Sequence, residues 1–357
     1  MQNSIKKRSI QKRPTQKEVA ERAGVSQGVV SQVLNGRQGA IRVHPDTRER
    51  VLQTIEDMGY APNIAARSLV GGRTHIMGVF TYEPVFPTDT RNFFYPFLEG
   101  IEEAAAALNY DLLLHTRSAG TAGGRRVYQN SSSRLSLTDG TLILGELGEP
   151  GRTEEVARLI REGHPVVFLG RRELHGVLPS WVAADYATAT EQAVGELLRL
   201  GHRGLLYLGG TRNHESAADR EVGYRRGMRG AGQTPQVRRI DPSEVSPELV
   251  TRVHATGVTG LLIENDELAV RWLEAASQAG LVAPRDYSFA VLGDPISPRP
   301  RIRPWAALEI PRREMGEEAV RVLHRLLSGG PAETLALPCR WVPGDTLGRV
   351  PSSAGLK

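Results

Sequence analysis

The stretch ERAGVSQGVVSQVLNGRQGA, residues 21–40, contains two short helical patterns separated by a Gly-Val-Ser break. In its second half, Val29, Val30, Val33 and Leu34 recur with the spacing of a buried stripe on an amphipathic helix. The glycine of the break tolerates the left-handed conformation that commonly ends a helix. The stretch therefore predicts two helices joined by a tight turn, with a polar face on the second helix.

The sequence on either side extends this pattern to three helices. TQKE at residues 15–18 is a capping box, in which the threonine and glutamate side chains each satisfy a free backbone N–H at a helix start. A third helical pattern follows Pro45 and ends at Gly59. Short helices need to pack together, so residues 14–61 are predicted to form a helix-turn-helix DNA-binding headpiece. An ordinary helical hairpin without a DNA-binding role gives the same pattern. The distribution of charge along the chain favours the DNA-binding interpretation.

Positive charge is concentrated in the first fifth of the chain. Residues 1–73 hold 13 Lys and Arg against 6 Asp and Glu, whereas the rest holds 32 against 34, within a net charge of +5. Such asymmetry is the electrostatic footprint of a polyanionic partner. Residues 1–13 taken alone are typical of a basic disordered tail. The headpiece that follows is therefore predicted to bind double-stranded DNA.

Length and composition exclude several classes of protein. A chain of 357 residues is about twice a typical domain, so two or three compact units are expected. The single cysteine, Cys339, cannot form a disulfide framework or a metal cluster. No apolar run is long enough to span a bilayer, and the basic N-terminus leads into Pro14 rather than an apolar signal core. The protein is predicted to be cytoplasmic, with no membrane partner.

Residues 62–72 predict a hinge helix or a linker. The segment starts with Pro62 and stops at Gly71 and Gly72, and a helix of some two turns is marginal alone in water. The helix should therefore form only when a partner or a neighbouring part of the protein stabilises it. Leu69 is an apolar residue on a short, mostly polar segment. It therefore either packs on a neighbouring part of the protein or is exposed for contact with a partner. A plain linker is equally consistent with this pattern.

After the hinge, apolar runs of strand length alternate with helical patterns, which is typical of parallel sheets covered by helices. About eight strands divide into two sheets. The predicted fold is therefore an all-α headpiece followed by an α/β two-lobed core, residues 73–357. The predicted N-lobe covers about 73–170 and 305–330, and the predicted C-lobe about 171–304 and 331–350. Small ligands bind such sheets beyond the carboxyl ends of the strands, where the two lobes face each other.

The core shows no recognisable catalytic motif. No glycine-rich dinucleotide or phosphate loop follows a strand, the nine histidines lack metal-ligand spacing, and no nucleophile elbow occurs. The sequence thus predicts no catalytic residues, no metal site and no cofactor.

Three segments that occur in the order TQKEVAERAGVSQGVVSQVLNG, TRERVLQTIEDMGYAPNIAARSL and IMGVF resemble the LacI/GalR family of bacterial transcription regulators. The resemblance continues through the core in FLEGIEEAAAALNYDLLL, LRLGHRGLLYLGG and LPCRWVPGDTLG. It implies a helix-turn-helix headpiece, a hinge helix and a periplasmic-binding-protein-like core. It also implies a homodimer that binds a palindromic operator and is controlled by a small-molecule effector.

The resemblance further implies which residues contact DNA. Gln27, Gly28 and Gln32 match the family's major-groove reading positions, and Leu69 matches a wedge pushed into the minor groove. Val29 and Gln32 stand where the family usually has Thr and Arg, and glutamine pairs best with adenine, so the operator is expected to differ from the common ones. The predicted DNA-binding set is Thr15, Ser26, Gln27, Gly28, Ser31, Gln32, Asn35, Arg37, Asn63, Ala66, Arg67 and Leu69.

Effector contacts follow from the same resemblance. Arg220 in DREVGY and Asn265 in IENDELA match cleft residues of the family. Many sugar-binding members have acidic residues, which bind sugar hydroxyls, where this chain has Gly170 and Gly293. A typical monosaccharide is therefore not the expected effector. Residues 82–94, YEPVFPTDTRNFF, are longer than the usual first crossover and would reshape one wall of the cleft. The predicted effector-binding set is Phe93, Phe94, Asp185, Arg220, Asn265 and Asp294.

Together these observations predict a ligand-controlled transcriptional regulator, a repressor by preference, whose effector is a sugar or sugar derivative. Two alternatives share the two-lobed core. An exported solute-binding protein would need an export signal and no headpiece, and a sugar-converting enzyme would need an acid-base pair that the sequence does not show. The sequence does not indicate whether the effector releases the protein from DNA or promotes its binding to DNA.

Overall fold

The computed structural model describes residues 14–35, 43–60, 73–83, 93–116, 124–129, 132–212, 214–294 and 304–350. The chain separates into two compact units, Met1–Thr74 and His75–Lys357. The predicted basic tail and the predicted hinge lie outside the described residues.

The first unit contains the three predicted helices. They are α1 (Gln16–Ala23), α2 (Gln27–Asn35) and α3 (Pro45–Met58). Buried side chains from all three form one small core, which consists of Val19, Ala20, Ala23, Val30, Val33 and Val51. The predicted packing of the headpiece helices is confirmed.

Local sequence signals define the ends of α1. The Glu18 backbone N–H donates to Thr15 Oγ1 at 3.3 Å, and the Glu18 carboxylate accepts from the Thr15 backbone N–H at 2.7 Å. Gly24 ends the helix at φ 64°, a left-handed conformation that glycine adopts without steric cost. Arg50 of α3 donates to the Ala23 carbonyl at 3.0 Å, which joins the third helix to the turn.

The second unit alternates strands with helices. Its first part comprises β1 (Ile76–Thr81), α4 (Tyr95–Ala107), β2 (Asp111–Leu114), β3 (Tyr128–Gln129), β4 (Ser132–Ser133), β5 (Gly140–Leu144), α5 (Pro150–Arg161), β6 (Val166–Leu169) and β7 (Ser180–Asp185). Its middle part comprises α6 (Tyr186–Arg199), β8 (Leu205–Gly209), α7 (Glu215–Gly230), β9 (Gln236–Arg239), α8 (Pro247–Ala255), β10 (Gly260–Ile263), α9 (Asp266–Gln278) and β11 (Ser288–Val291). The last part comprises β12 (Ala306–Glu309), α10 (Arg312–Leu327), β13 (Thr334–Pro338) and β14 (Arg340–Val342).

Two six-stranded sheets organise this unit into two lobes. The first sheet has the order β13-β7-β6-β5-β1-β2 and is parallel throughout. The second has the order β14-β12-β11-β10-β8-β9 and is parallel except for its edge strand β14. The predicted α/β core with parallel sheets is confirmed. Helices cover both faces, so the central strands are apolar along their whole length.

The lobe boundaries differ from the predicted ones at all three crossings. β7 pairs with β6 and β13 in the first sheet, so residues 180–185 and 334–338 belong to the first lobe rather than the second. β12 pairs with β11, so residues 306–309 belong to the second lobe rather than the first. The chain therefore changes lobe after Asp185, after Glu309 and after Pro338. Hydrophobic periodicity identifies a strand but does not reveal which distant strand it pairs with in the sheet.

Within the first lobe, α4 and α10 cross at very short range. A Cβ atom on Gly100 would lie 2.0 Å from the Arg313 carbonyl oxygen, and one on Gly316 would lie 2.3 Å from the Phe97 carbonyl oxygen. Only glycine permits this approach, which brings the N-terminal ends of both helices to the mouth of the cleft.

Among the described residues, the helices are too short or too polar to span a membrane.

Candidate functional site

The headpiece presents a polar surface at the start of α2. Gln27 and Gly28 are exposed in its first turn, and Ser26 accepts from the Val29 backbone N–H at 3.4 Å. Gln27 Nε2 also donates to Gln16 Oε1 at 3.5 Å, which places the first turns of α1 and α2 side by side. The structure therefore brings four of the predicted DNA-binding residues together, namely Thr15, Ser26, Gln27 and Gly28.

Ser31 and Gln32 are half-buried one turn further along α2. This helix contains no Asp or Glu, so the positive end of its dipole is not offset by a carboxylate of its own. Asn35 is the last residue of α2, and its side chain is not described. The other predicted contacts lie outside the described residues, namely Arg37, Asn63, Ala66, Arg67 and Leu69.

A cavity of about 350 Å³ lies between the lobes of the second unit. Four of the six predicted effector residues line it, namely Phe93, Phe94, Arg220 and Asn265. Its lining comes largely from the first residues after parallel strands, such as Glu146 after β5 and Glu264 after β10. This is where parallel sheets are expected to bind small ligands.

Arg220 is held rigidly on α7. It is only 6% exposed, donates from Nε to the Leu292 carbonyl at 2.6 Å and from Nη1 to the Ser216 carbonyl at 3.0 Å. Its guanidinium also lies 3.8 Å from the centre of the Tyr186 ring, a cation–π contact. Burial raises the pKa of Tyr186, so its hydroxyl stays protonated. The arginine is thus preorganised before any ligand arrives.

Asn265 is held by a different local feature. Its side-chain oxygen accepts from the Leu268 backbone N–H at 3.0 Å and caps α9. In the described part of the chain its side-chain nitrogen makes no hydrogen bond, so that nitrogen is available as a donor to a ligand.

Aromatic rings form the first-lobe side of the cavity. The Phe93 and Phe94 ring centres are 5.4 Å apart at a steep angle, and those of Phe93 and Phe97 are 5.7 Å apart. Arg312 at the start of α10 donates to the Phe93 carbonyl at 3.0 Å and lies over its ring. These contacts fix the rings as one apolar wall.

Asp185 and Asp294, the other two residues of the predicted set, do not line the cavity. Asp185 accepts from the Thr188 backbone N–H at 3.0 Å and caps α6. Asp294 accepts from the Ile310 backbone N–H at 3.0 Å and forms an ion pair with Arg312 at 2.8 Å. Both carboxylates hold the strand ends and helix starts together, and burial raises the pKa of Asp294.

Nine titratable residues of the cavity were not predicted from the sequence. They are Glu83, Glu146, Arg171, Arg172, Arg212, His214, Glu215, Asp219 and Glu264. Several could have been found from one signal, because a charged residue that directly follows an apolar strand lies at the carboxyl edge of the sheet. The others, on α7, depend on how that helix approaches the first lobe.

Two ion pairs join the lobes across the cavity. Arg171, which follows β6, pairs with Asp219 of α7 at 2.8 Å, and its neighbour Arg172 lies 3.5 Å from Glu215 of the same helix. The Arg312–Asp294 pair also joins the two lobes, because Arg312 starts α10 of the first lobe and Asp294 follows β11 of the second. These pairs stabilise the lobes in the arrangement described.

Carboxylates supply hydrogen-bond acceptors in the cavity. Glu264 is 3% exposed, accepts from the Tyr207 hydroxyl at 3.0 Å and lies 3.8 Å from His214 Nε2. Burial lowers the pKa of His214, which favours its neutral form. Burial and the nearby Glu146 carboxylate both raise the pKa of Glu83. The cavity therefore combines acceptor oxygens with guanidinium donors, a composition suited to a polar ligand.

A second groove, of about 540 Å³, lies beside β9 and α8 at the edge of the second sheet. It is formed within one lobe, largely by aliphatic side chains with Arg238 and Arg252. Movement of one lobe against the other would not alter its shape. The cavity between the lobes, by contrast, has a shape that depends on how the lobes are placed.

Comparison with known proteins matches both units. The family described as "Bacterial regulatory proteins, lacI family" matches residues 15–63, and a "Periplasmic binding protein-like domain" matches residues 194–347. The chain is 29% identical over 326 residues to catabolite control protein A of Priestia megaterium, which covers 87% of this chain and 92% of that protein. It is 27% identical over 320 residues to the transcriptional regulator RegA of Clostridium saccharobutylicum, again with 87% and 92% covered.

Solved structures share the fold. A lac repressor dimer bound to operator and the anti-inducer ONPF has a TM-score of 0.66 and 22% identity, with 94% of this chain and 99% of that chain covered. A complex of the regulator CelR with cellobiose has a TM-score of 0.59 and 23% identity, with 94% and 100% covered. The headpiece and the two-lobed core thus occur together, in the same order, in these proteins.

Proposed function

The chain belongs to the LacI family of bacterial regulatory proteins, and from this premise we propose how it regulates transcription: a homodimer binds a palindromic operator, and a small-molecule effector controls that binding. The relatives reported above are transcriptional regulators rather than enzymes or exported binding proteins. Because its target is chromosomal DNA, we place the protein in the cytoplasm. We favour repression as its effect on transcription.

The headpiece carries this proposal. Its second helix presents Gln27 and Gly28 to solvent at an end that has no carboxylate, in a segment that concentrates the chain's positive charge. A helix of this kind inserts its N-terminal residues in the major groove, and two copies related by a two-fold axis read an inverted repeat. The glutamines would favour adenine within each half-site.

The cavity between the lobes supports the effector part of the proposal. Guanidinium donors and carboxylate acceptors beside an aromatic wall suit a sugar or sugar derivative. The related CelR structure is a complex with cellobiose, and the related lac repressor structure is bound to ONPF. An effector that binds one arrangement of the lobes better than another would shift their equilibrium, and a coupling of about 1–3 kcal/mol suffices for regulation.

Salt dependence tests the DNA-binding part. Duplexes selected by the full chain from a genomic library would be titrated by fluorescence anisotropy between about 50 and about 200 mM salt, where several phosphate contacts lower affinity by a few orders of magnitude. Gln27→Ala or Gln32→Ala should relax preference at one position per half-site. A uniform loss across sequences would assign these residues to phosphates instead.

The hinge needs a separate test. We propose that residues 62–72 form a helix on the operator with Leu69 as a minor-groove wedge, because the segment is too short to be helical alone. Leu69→Ala should weaken operator binding by about 10-fold or more and leave thermal unfolding of the core unchanged. An unchanged operator affinity would remove the wedge role.

A further inference from the structure

We propose that the effector is an acidic sugar, a polyhydroxylated ring or chain that carries one negatively charged group. This rests on the effector-binding role given above to the cavity between the lobes. Two buried guanidinium groups reach this cavity from opposite lobes, each beside a glycine, and neither is neutralised in full by the protein.

Arg172 supplies the cation on the first-lobe side. Its side chain is 8% exposed, and its Nη1 atom lies 3.0 Å from the position that a Cβ atom on Gly170 would occupy. Gly170 has φ 106°, which an ordinary side chain rarely adopts, so this space is kept for the guanidinium. Its Nη1 and Nη2 atoms donate to the neutral carbonyls of Arg171 and Gly145, and its ion pair with Glu215 spans 3.5 Å. The charge of the guanidinium is therefore only partly offset by the protein, which favours an anionic ligand beside it.

Arg220 supplies the cation on the second-lobe side. It donates to two neutral carbonyls and stacks on Tyr186, and across the described residues no carboxylate lies within ion-pair distance of it. Its Nη2 atom lies 3.7 Å from the position that a Cβ atom on Gly293 would occupy. A guanidinium that is 94% buried without a counter-ion favours an anionic ligand, with which it can form charge-assisted hydrogen bonds.

The remaining features of the cavity match the uncharged part of such a ligand. Glu146 and Glu264 offer acceptor oxygens for hydroxyl groups, and Asn265 offers a donor. The rings of Phe93 and Phe97 form an apolar surface on which the C–H face of a sugar can pack. A volume of about 350 Å³ lies at the small end of the range for ligand sites, which suits one sugar unit better than a long oligosaccharide.

Calorimetric titration of the full-length protein tests the ligand class. The probes are D-glucuronate, D-gluconate, D-glucose 6-phosphate, D-glucose and D-glucosamine. We expect at least one of the three anions to bind 10-fold or more tightly than glucose and glucosamine, and comparison of the three separates carboxylate from phosphate. Tighter binding of glucose or glucosamine than of all three anions, or binding of none at millimolar concentration, would overturn the proposal. Operator binding measured in parallel reports on the proposed function independently.

One substitution supplies a counter-ion to Arg220. Contacts around a Cβ atom at Gly293 begin at 3.7 Å, which is ordinary packing, and its backbone is not left-handed. Gly293→Asp should therefore fold, place a carboxylate near Arg220 and weaken binding of the best anion by 10-fold or more. Gly293→Asn has the same shape without the charge and should keep most of that affinity. An equal loss in both variants, with unfolding curves like that of the unaltered protein, would overturn the role of charge.

Discussion

The two walls of the cavity differ in kind. The first lobe contributes all of the phenylalanine rings, with Phe93, Phe94, Phe97, Leu169 and Met315 among its lining, and it also contributes the charged residues Glu83, Glu146, Arg171 and Arg172. The second lobe contributes polar and charged side chains from α7 and from the ends of β8 and β10, namely Arg212, His214, Glu215, Ser216, Asp219, Arg220, Glu264 and Asn265. A ligand between them would pack against aromatic rings on the first-lobe side only, and it would make directed hydrogen bonds with charged side chains of both lobes. This asymmetry specifies its orientation, because only one face of a sugar ring is apolar enough for the aromatic wall.

The apolar wall is also part of a lobe core, so its removal should have the largest effect. Phe97 is 5% exposed and packs in the core cluster of the first lobe. Phe97→Ala should lower the free energy of unfolding by about 3–5 kcal/mol, measured by urea denaturation. Phe97→Leu preserves more of the volume and should cost much less. If Phe97→Ala had the same free energy of unfolding as the unaltered protein, the Phe97 ring would not contribute to the stability of the core.

The polar wall should matter more for binding than for folding. Arg220→Gln removes a buried cation that faces the cavity, and we expect affinity for the best-binding anionic sugar to fall by about 100-fold, equivalent to about 2.7 kcal/mol. Arg225→Gln on the same helix is the matched control, because its side chain is half-buried, does not line the cavity and pairs with Glu221. Retained affinity in the Arg220 variant would remove that residue from the site.

The ion pairs that join the two walls should have a smaller effect. Arg171 and Asp219 are each about a quarter exposed, so solvent screens their attraction. A double-mutant cycle with Arg171→Gln and Asp219→Asn should give a coupling of about 0.5–1 kcal/mol in effector affinity. Glu173→Gln is the control, since Glu173 pairs with Arg171 within its own lobe and is largely exposed. A coupling of zero would show that this pair does not hold the lobes together.

The smallest effect is expected at the carboxylate pair of the first lobe. The pKa of Glu83 is raised by burial and by Glu146, so the folded state retains a proton that the unfolded state releases. The free energy of unfolding should therefore fall as pH rises through the raised pKa. Glu83→Gln should flatten this dependence over the range above the ordinary pKa of a glutamate and stabilise the protein there by less than about 1 kcal/mol. Glu102→Gln, on an exposed surface, should leave the pH dependence as it was.

Local signals made the headpiece predictable. The capping box at residues 15–18, the left-handed Gly24 and the apolar stripe of α2 are each encoded within a few residues, and each appears in the structure as expected. The alternation of strands and helices in the core is equally local. The lobe boundaries were not predictable in this way. β7 pairs with β13 and β12 pairs with β14, and in each case the chain passes through the other lobe before it reaches the partner strand.

Of the residues that motif resemblance predicts for the effector, Arg220 and Asn265 line the cavity, whereas Asp185 and Asp294 do not. Asp185, Asn265 and Asp294 all lie at or near the carboxyl ends of strands, and only packing decides whether such a side chain faces the cavity or stabilises a neighbouring element. Arg172 was missed altogether, because its position above Gly170 depends on a glycine conformation that no local pattern reveals.

The amino-acid sequence alone determined that a basic three-helix unit precedes an α/β core, since caps, turns and apolar periodicity act over short distances. Tertiary structure decided which charges share the cavity. Residues from β1, β5, β6, α7 and β10 come together there only after two sheets have formed and approached each other, and burial then makes their charges matter.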